Sequence, residues 1–314
     1  MTGVGPSAPA GSWFDRSVPA LFVLIWSTGF IVAKYGMPHA PPMSFLAWRY
    51  GLSLAIFVIW MQLAGLAWPS DRAEWGHLAI TGILMHAGYL GGVWAAVKGG
   101  MSSGTSALIV GLQPILTALW TSWAGQEHRT TARQWWGLGI GLLGLSLVVS
   151  KKLSFGEATW STLADCILAL VCITAGTLYQ KRYVKPTDVR QANAVQLIAA
   201  LVVTLPLALW ESEPIRWNSQ MMGALAWSVL VLTLGGSTLL VVLIQRGAAT
   251  GVASLMYLVP PCTALMAWIL FGEVLTPTVL CGMALTALGV WWVVRVPSET
   301  TGTTGTTGTT SKSV

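Results

Sequence analysis

The sequence predicts an all-α integral membrane protein with ten transmembrane helices, arranged as two inverted five-helix repeats. Hydrophobic residues fill 54% of the 314 positions and charged residues only 9%, too few polar side chains to cover a water-soluble globule of this size. Ten apolar segments approach the roughly 20 residues that a helix needs to cross a bilayer. Continuous apolar runs indicate helices rather than barrel strands. Lipid offers backbone N–H and C=O groups no hydrogen-bond partner, and a helix pairs these groups within a single run.

The apolar segments follow one another with short loops between them. They run from Val18 to Tyr35, Ser44 to Leu66, Gly76 to Val97, Ser103 to Ala124, Gln134 to Val149, Trp160 to Tyr179, Ala192 to Trp210, Met222 to Ile244, Val252 to Phe271 and Thr278 to Val294. The first apolar segment is similar to a signal peptide. It pairs with the sixth at the repeat offset, so we expect it to be retained.

The second half of the chain repeats the first at an offset of 147 residues. Gly88 and Pro114 match Gly235 and Pro261, and the pairing over 76–125 needs no gap. After the next loop the offset becomes 145. Five spans is an odd number, so the second copy is expected to thread the membrane upside down. Such inverted repeats are typical of secondary transporters.

The repeat also sets the predicted organisation of the chain. We expect a disordered N-terminus over 1–16, a first repeat over 17–152, a second repeat over 157–296, and a disordered Thr/Gly-rich tail over 298–314. Such short, compositionally simple ends are the parts of a chain that most often lack order.

The basic residues predict the topology. The formal net charge is +6, but these residues lie in short loops rather than in one patch, so no nucleic acid is expected as a partner. The positive-inside rule places both termini in the cytoplasm. On that arrangement the cytoplasmic side carries eleven of the 17 Lys and Arg residues, namely Arg16, Arg72, Arg129, Arg133, Lys181, Arg182, Lys185, Arg190, Arg246, Arg295 and Lys312.

The sequence motif that is typical of an enzyme does not lie in the structural context that catalysis requires. Gly100, Ser102 and Gly104 spell the G-x-S-x-G of a nucleophile elbow, but they join two membrane helices, whereas that motif needs a strand before the serine. The four cysteines fall in apolar segments and predict neither a disulfide framework nor a metal site. We therefore expect no enzyme, no cofactor and no metal. The predicted partners are a small-molecule substrate and the lipid bilayer, and a homodimer is left open.

Asp165 and His86 stand out as ionisable residues within the spans. Asp165 is about one turn into its helix, where the positive helix end can stabilise a carboxylate without any role in transport. His86 lies near the middle of its segment, three residues before Tyr89, and is a candidate substrate contact or proton carrier. A neutral histidine buried between helices is the alternative. The scarcity of acidic groups favours a facilitator over tight proton coupling.

Helix breakers recur at equivalent depth in the two halves, where freed backbone groups can bind a substrate or form a gate. The candidates are Gln113 and Pro114 in the fourth segment, with Tyr257, Pro260, Pro261 and Thr263 in the ninth. The alternative is that the prolines only kink the helices for packing.

Small and aromatic residues supply the remaining candidates. Gly91, Gly92, Gly235 and Gly236 lie in the third and eighth segments, as hinges or as sites of close helix packing. Most of the 18 tryptophans lie near the ends of spans, where an indole prefers the interface. Those in the interior of a span are candidates to line a cavity for an aromatic or aliphatic cargo, and they are Trp26, Trp94, Trp120 and Trp268.

Two stretches together resemble the drug/metabolite transporter superfamily, specifically ten-helix proteins built from two EamA repeats. The first is Trp26-Ser27-Thr28-Gly29-Phe30 with Lys34, Pro41-Pro42 and Trp48-Arg49. The second is Arg246-Gly247-Ala248 with Leu258, Pro261, Ala264, Gly272, Glu273 and Gly282. The likeness covers residues 18 to 295 and extends to the YddG-like branch of aromatic amino acid exporters. It implies a small-solute transporter with a central cavity between the repeats.

The same resemblance assigns family positions to Lys34, Arg49, Glu127 and Glu273. It implies that Lys34 and Arg49 lie near the external mouth, where they pair with acidic groups or attract a substrate carboxylate. The second repeat departs from this pattern, with Gln196 at the position equivalent to Arg49. We expect export of small metabolites, above all amino acids, by alternating access. The alternatives are cationic drugs or sugar-type cargo in the same fold, or a membrane enzyme acting on lipid.

Overall fold

The fold is seen in a computed structural model, which describes residues 13–123, 132–154, 158–236, 239 and 258–294. These residues form ten helices and no strand, which confirms the predicted fold class. The helices are α1 (Trp13–Gly36), α2 (Pro42–Leu63), α3 (Arg72–Lys98), α4 (Ser103–Val110 and Gln113–Trp123), α5 (Ala132–Ser154), α6 (Trp160–Tyr183), α7 (Val189–Trp210), α8 (Ser219–Gly235), α9 (Val259–Phe271) and α10 (Pro277–Val294).

The internal repeat is visible in where the helices begin. α6, α7 and α8 each start 147 residues after α1, α2 and α3. α3 and α8 begin with the same kind of N-cap, because Asp71 and Asn218 are repeat equivalents whose side chains both cap a helix. Asp71 accepts a hydrogen bond from Ala73 N at 2.9 Å, and Asn218 accepts one from Met221 N at 2.8 Å. A side-chain oxygen there satisfies one of the unpaired N–H groups of the first turn.

The two repeats are interlocked rather than side by side. α2 packs against α7, α3 against α6, α5 against α10, and α9 against both α1 and α4. Glycine makes the α5–α10 contact possible: a methyl group on Gly289 would lie 2.4 Å from the carbonyl oxygen of Gly137. The predicted close approach of backbones at small residues is therefore present at this contact.

The outer surface is apolar. Large side chains such as Leu209 and Trp210 are more than three-quarters exposed, as expected for a surface whose solvent is lipid. Within the described residues, α2, α3, the Ser103–Trp120 part of α4, α6 and α7 are long and apolar enough to cross a membrane, and the other helices present shorter apolar stretches. Trp120 and Trp268, two of the candidates to line a cavity, are each 52% exposed and are not among the residues that line the main cavity described below.

α3 and α8 each contain a π-helical segment at equivalent positions of the two repeats. The segments are Ile83–Gly88 and Ser228–Gly235. A π-helical turn widens the helix and is frequent at functional sites. In α3 the carbonyl oxygen of His86, inside this segment, accepts a hydrogen bond from the Tyr50 hydroxyl of α2 at 2.8 Å.

Candidate functional site

A cavity of about 780 Å³ lies between α1, α2, α3, α6, α7 and α8. It reaches the α6–α7 loop, where Lys185 and Pro186 are exposed, so it is open to solvent at that end. This volume falls within the range of small-molecule sites. The described residues that line it are Trp26, Gly29, Phe30, Arg49, Met85, His86, Tyr89, Leu90, Val93, Trp94, Ile173, Gln180, Lys181, Val184, Lys185, Pro186, Thr187, Val189, Ala192, Asn193, Gln196, Leu232 and Thr233.

Two polar contacts between the repeats cross the centre of the molecule. Arg49 of α2 donates from Nε to Thr233 Oγ1 of α8 at 3.2 Å, and the His86 side chain of α3 lies beside the Gln196 side chain of α7. Arg49 and Gln196 are repeat equivalents, as are His86 and Thr233. Both His86 and Thr233 lie in the π-helical segments. The same backbone geometry thus carries two different polar pairs.

Arg49 does not lie at the external mouth, which corrects the position implied by the resemblance. It is 7% exposed, lines the central cavity and lies beside His86 and Tyr89. None of the described carboxylates is within ion-pair distance of it, and no described Asp or Glu lines the cavity. Burying a guanidinium is costly unless an opposite charge or several hydrogen bonds compensate it. Among the described residues, the cavity therefore presents a cationic group with one hydrogen bond from its guanidinium and room for an anion.

Aromatic side chains form the wall beside Arg49. Trp26, Tyr89 and Trp94 all line the cavity, as does His86, so the structure brings these four predicted site residues together. Trp94 is 1% exposed and stacks on Phe45 at a ring-centroid distance of 4.4 Å, which fixes its orientation. Such a wall suits a cargo with a flat or apolar side chain.

At the open end of the cavity, Asp188 and Asp71 are each paired with a basic side chain. Asp188 caps α7 by accepting from Arg190 N at 2.9 Å and also pairs with the Arg190 guanidinium at 2.8 Å. This hydrogen bonding lowers the pKa of the Asp188 carboxyl. Asp71 lies 3.6 Å from Lys185. Lys181, which lines the cavity near the same loop, adds positive charge to the entrance.

Ion pairs join the helices at the opposite end. Lys34, at the end of α1, pairs with Glu273, which follows α9 and also accepts a hydrogen bond from Ser103 N of α4 at 3.2 Å. Gly272 ends α9 with φ of +64°, the left-handed conformation that favours glycine. The side chain of Glu273, the residue that follows Gly272, is 10% exposed. The resemblance implied that Lys34 pairs with an acidic group or attracts a substrate carboxylate, and in the structure it pairs with Glu273.

A second layer of contacts ties the loops at this closed end. Lys98 pairs with Glu213 at 2.7 Å. Glu211, at the end of α7, accepts from the backbone N–H groups of Met43 and Ser44 at 2.9 and 2.7 Å, so it stabilises the first turn of α2. One end of the cavity is thus open while polar contacts hold the helices together at the other.

The predicted helix breakers lie apart from the cavity. α4 is interrupted at residues 111 and 112, directly before Gln113 and Pro114, so the predicted break in this helix is confirmed. Pro260 and Pro261 line a small void between α4, α9 and α10, and Thr263 is buried with its hydroxyl 3.3 Å from the carbonyl oxygen of Ser27. None of these residues lines the main cavity; a gating role stays a prediction. Tyr257 and Glu127 lie outside the described residues.

The glycines predicted as hinges lie in two seams that differ. In α3, a methyl group on Gly92 would lie 2.5 Å from the carbonyl oxygen of Asp165 in α6, and Gly91 lies next to Met43. In α8, a methyl group on Gly235 or Gly236 would meet its nearest atom at 3.4 or 3.9 Å. Among the described residues, the α3–α6 seam is closely packed at these glycines, and the equivalent α8–α1 seam is more open. Whether these glycines act as hinges stays a prediction.

Asn193, Gln196 and Thr233 are three of the polar residues that line the cavity but were not predicted as site residues. The repeat offset contained a signal for two of them. Gln196 is the equivalent of Arg49, and Thr233 is the equivalent of His86, so the candidates in the first repeat identify them. Asn193 has apolar Leu46 at the equivalent position and no such signal.

Comparison with protein families decides what kind of protein has this architecture. The model of the EamA-like transporter family matches residues 19–150 and again residues 160–295. The chain belongs to the EamA-like transporter family. This EamA-like protein is therefore a multi-pass membrane transporter built from two copies of one sequence unit.

The curated relatives of this EamA-like transporter match it over nearly their whole length. An uncharacterized transporter of Archaeoglobus fulgidus is 25% identical over 286 residues, which cover 87% of this chain and 94% of the relative. A probable amino-acid metabolite efflux pump of Salmonella typhimurium is 22% identical over 287 residues, or 88% and 93% of the two chains. A crystal structure with 16% identity superimposes with a TM-score of 0.61, covering 89% of this chain and 98% of that one, and so shares its fold.

Proposed function

We propose that this transporter exports small metabolites that carry a carboxylate, above all amino acids with aromatic or hydrophobic side chains, from the cytoplasm of a bacterium. The observation that supports this most is the buried Arg49 guanidinium, which lines the cavity without a carboxylate partner among the described residues. A planar guanidinium binds a carboxylate with two parallel hydrogen bonds. Trp26, Tyr89 and Trp94 then receive the apolar part of the cargo.

The charge of the cavity separates this cargo from the alternatives. The ionic side chains among its described lining residues are basic, so a cationic drug would enter a site that repels it. A neutral sugar would leave Arg49 without the anion that compensates its burial. The name of the Salmonella typhimurium relative, a probable amino-acid metabolite efflux pump, supports the same cargo class.

The direction of loading follows from the topology. The positive-inside rule places the α6–α7 loop in the cytoplasm, and the cavity opens at that loop. We therefore interpret the structure as the state that loads cargo from the cytoplasm, with the Lys34–Glu273 pair holding the external end closed. Exchange of the open and closed ends would release the cargo outside, as in alternating access. No acidic relay lines the described cavity, so the proposed mode is facilitated passage.

Uptake of labelled amino acids into proteoliposomes tests the function, with and without an imposed pH gradient. Phenylalanine is the probe, and its amide, which lacks the carboxylate, is the competitor. We expect uptake in the absence of the gradient and at least about tenfold weaker competition by the amide, the usual value of a charge-assisted hydrogen bond. Arg49→Gln should remove this difference, while Arg216→Gln, an exposed arginine at the other end, should preserve it. An unchanged KM for phenylalanine in Arg49→Gln would refute the proposal.

A further inference from the structure

We propose that Thr233 of α8 is a positioning residue that makes this site selective for aromatic cargo. It holds Arg49 by Nε, so that the cargo carboxylate binds at the two Nη groups and the cargo side chain lies beside Trp26. This inference rests on the proposed function, because it concerns how the same site selects its cargo. Thr233 acts through Arg49 and not through a bond of its own to the cargo.

The hydroxyl group of Thr233 acts as a hydrogen-bond acceptor toward Arg49. It donates its own hydrogen to the carbonyl oxygen of Ser228 at 2.9 Å, five residues earlier in the π-helical segment. A hydroxyl group has one donor hydrogen and two acceptor lone pairs. Because that hydrogen is engaged within α8, the oxygen is what the side chain offers, and Arg49 Nε donates to it at 3.2 Å. All three residues are buried.

This contact decides which edge of the guanidinium is available. A guanidinium can bind a carboxylate with two parallel hydrogen bonds, either through Nε and one Nη or through both Nη groups. Among the described residues, Thr233 is the one hydrogen-bond partner of the Arg49 guanidinium, and it occupies Nε. A cargo carboxylate therefore meets the two Nη groups. Because the guanidinium is planar and rigid, the direction from which the carboxylate approaches is fixed.

α8 also positions the aromatic wall relative to the guanidinium. Directly before Thr233, Leu232 Cδ2 lies 4.0 Å from the position of a methyl group on Gly29 of α1. Directly after it, a methyl group on Gly236 would lie 3.9 Å from the ring of Trp26, also in α1. Residues three apart on a helix are neighbours on one face. The group that anchors the carboxylate and the indole ring therefore lie along the same side of α8.

Loss of the acceptor should change selectivity more than binding. Thr233→Val keeps the shape of the side chain but leaves Arg49 Nε without its partner, so either edge of the guanidinium can then turn to the cargo. A cargo with a small side chain binds equally well at both edges. A cargo with a ring gains the contact with Trp26 from one edge alone. The preference for an aromatic cargo should therefore fall.

Uptake of phenylalanine and alanine into proteoliposomes that contain the full chain tests this inference. In the wild type the KM for alanine should be at least about tenfold higher, since burial of a ring contributes that much. Thr233→Val should lower this KM ratio about fivefold by raising the KM for phenylalanine, with both maximal rates unchanged. Thr233→Ser keeps the hydroxyl group and should keep most of the ratio. Thr174→Val removes a buried hydroxyl of α6 outside the cavity and should leave both KM values unchanged.

The outcomes separate this inference from the proposed function. An unchanged KM ratio in Thr233→Val, equal rises of both KM values, or equal KM values in the wild type would overturn the role of Thr233, while uptake that depends on Arg49 still supported the function. Wild-type proteoliposomes that take up no amino acid would overturn both. Melting temperatures in detergent show whether Thr233→Val folds. If it does not, Thr233→Ser is compared with Thr233→Ala, which differs from it in the hydroxyl group, and equal KM ratios in these two would overturn the inference.

Discussion

Replacing Gly88 with alanine should destabilise this structure, whereas the same change at its repeat equivalent, Gly235, should not. A methyl group on Gly88 would lie 2.6 Å from Cys172 Sγ and 3.0 Å from Cys172 Cβ in α6. Rotation of the Cys172 side chain can move the sulfur away but leaves Cβ in place. Among the described residues, the atom nearest to a methyl group on Gly235 would be the carbonyl oxygen of Leu230 at 3.4 Å, an ordinary contact.

The expected cost follows from packing. Inserting one methyl group into a closely packed contact costs about 1–3 kcal/mol, because neighbouring atoms must shift. At Gly88 this amounts to a loss of roughly 5- to 150-fold in the equilibrium constant for the folded state. At Gly235 the added methyl has room. The more favourable helix propensity of alanine should leave stability equal or slightly raised, by less than about 1 kcal/mol.

Thermal unfolding of the purified variants in one detergent measures the difference. Gly88→Ala should melt several degrees below the wild type and Gly235→Ala at or above it. Cys172→Gly removes both atoms that the new methyl meets, so adding it should make Gly88→Ala cost less than it does alone, as a double-mutant cycle. Equal melting temperatures for Gly88→Ala and Gly235→Ala, or the same cost for Gly88→Ala with and without Cys172, would refute this account of the seam.

Three further predictions concern other parts of the molecule. Glu273→Gln should weaken the closed end by about 1 kcal/mol, because it removes the partly exposed ion pair with Lys34. In a background that carries Tyr35→Cys, labelling of the new cysteine by a membrane-impermeant maleimide should then rise about fivefold. Gly289→Ala should cost about 1–3 kcal/mol in a melting experiment, since its methyl would meet the α5 backbone at 2.4 Å. Arg49→Met should raise the melting temperature while abolishing amino acid uptake, because it removes a buried charge whose burial is costly; a lower melting temperature would contradict this.

Much of the fold was predictable because its signals are local and strong. Apolar runs near the length of a bilayer crossing gave the ten helices, and the 147-residue offset gave the repeat that the helix bounds reproduce. Gln113 and Pro114 predicted the break in α4, because proline cannot donate to a helix ladder. His86, Tyr89 and Trp94 were predicted from their depth in the third segment, and all three line the cavity.

The depth of Arg49 was not predictable in the same way. It lies seven residues into α2, about 10 Å from the start of the helix, which from sequence alone suggests the mouth. Its long side chain carries the guanidinium further, to Thr233. The π-helical segments leave no trace in hydrophobic periodicity, so the widening at His86 was equally hidden. Of the four tryptophans inside spans, Trp120 and Trp268 do not line the main cavity, because depth in a span does not show which way a side chain points and an indole is as compatible with lipid as with a protein interior.

The difference between the two repeats matters as much as their likeness. The helix bounds repeat closely, and in the proposed alternating access such equivalent backbones would allow the two halves to exchange conformations. If the polar residues had repeated too, an arginine at position 196 would place a second guanidinium in the same cavity. The two charges would repel, and the site would require two anionic groups to compensate them. Gln196 instead leaves Arg49 as the one arginine among the described lining residues, which matches the single carboxylate of the proposed cargo. In the proposed mechanism, the repeated backbone would therefore support the exchange of conformations, and the side chains that differ between the repeats would select the cargo.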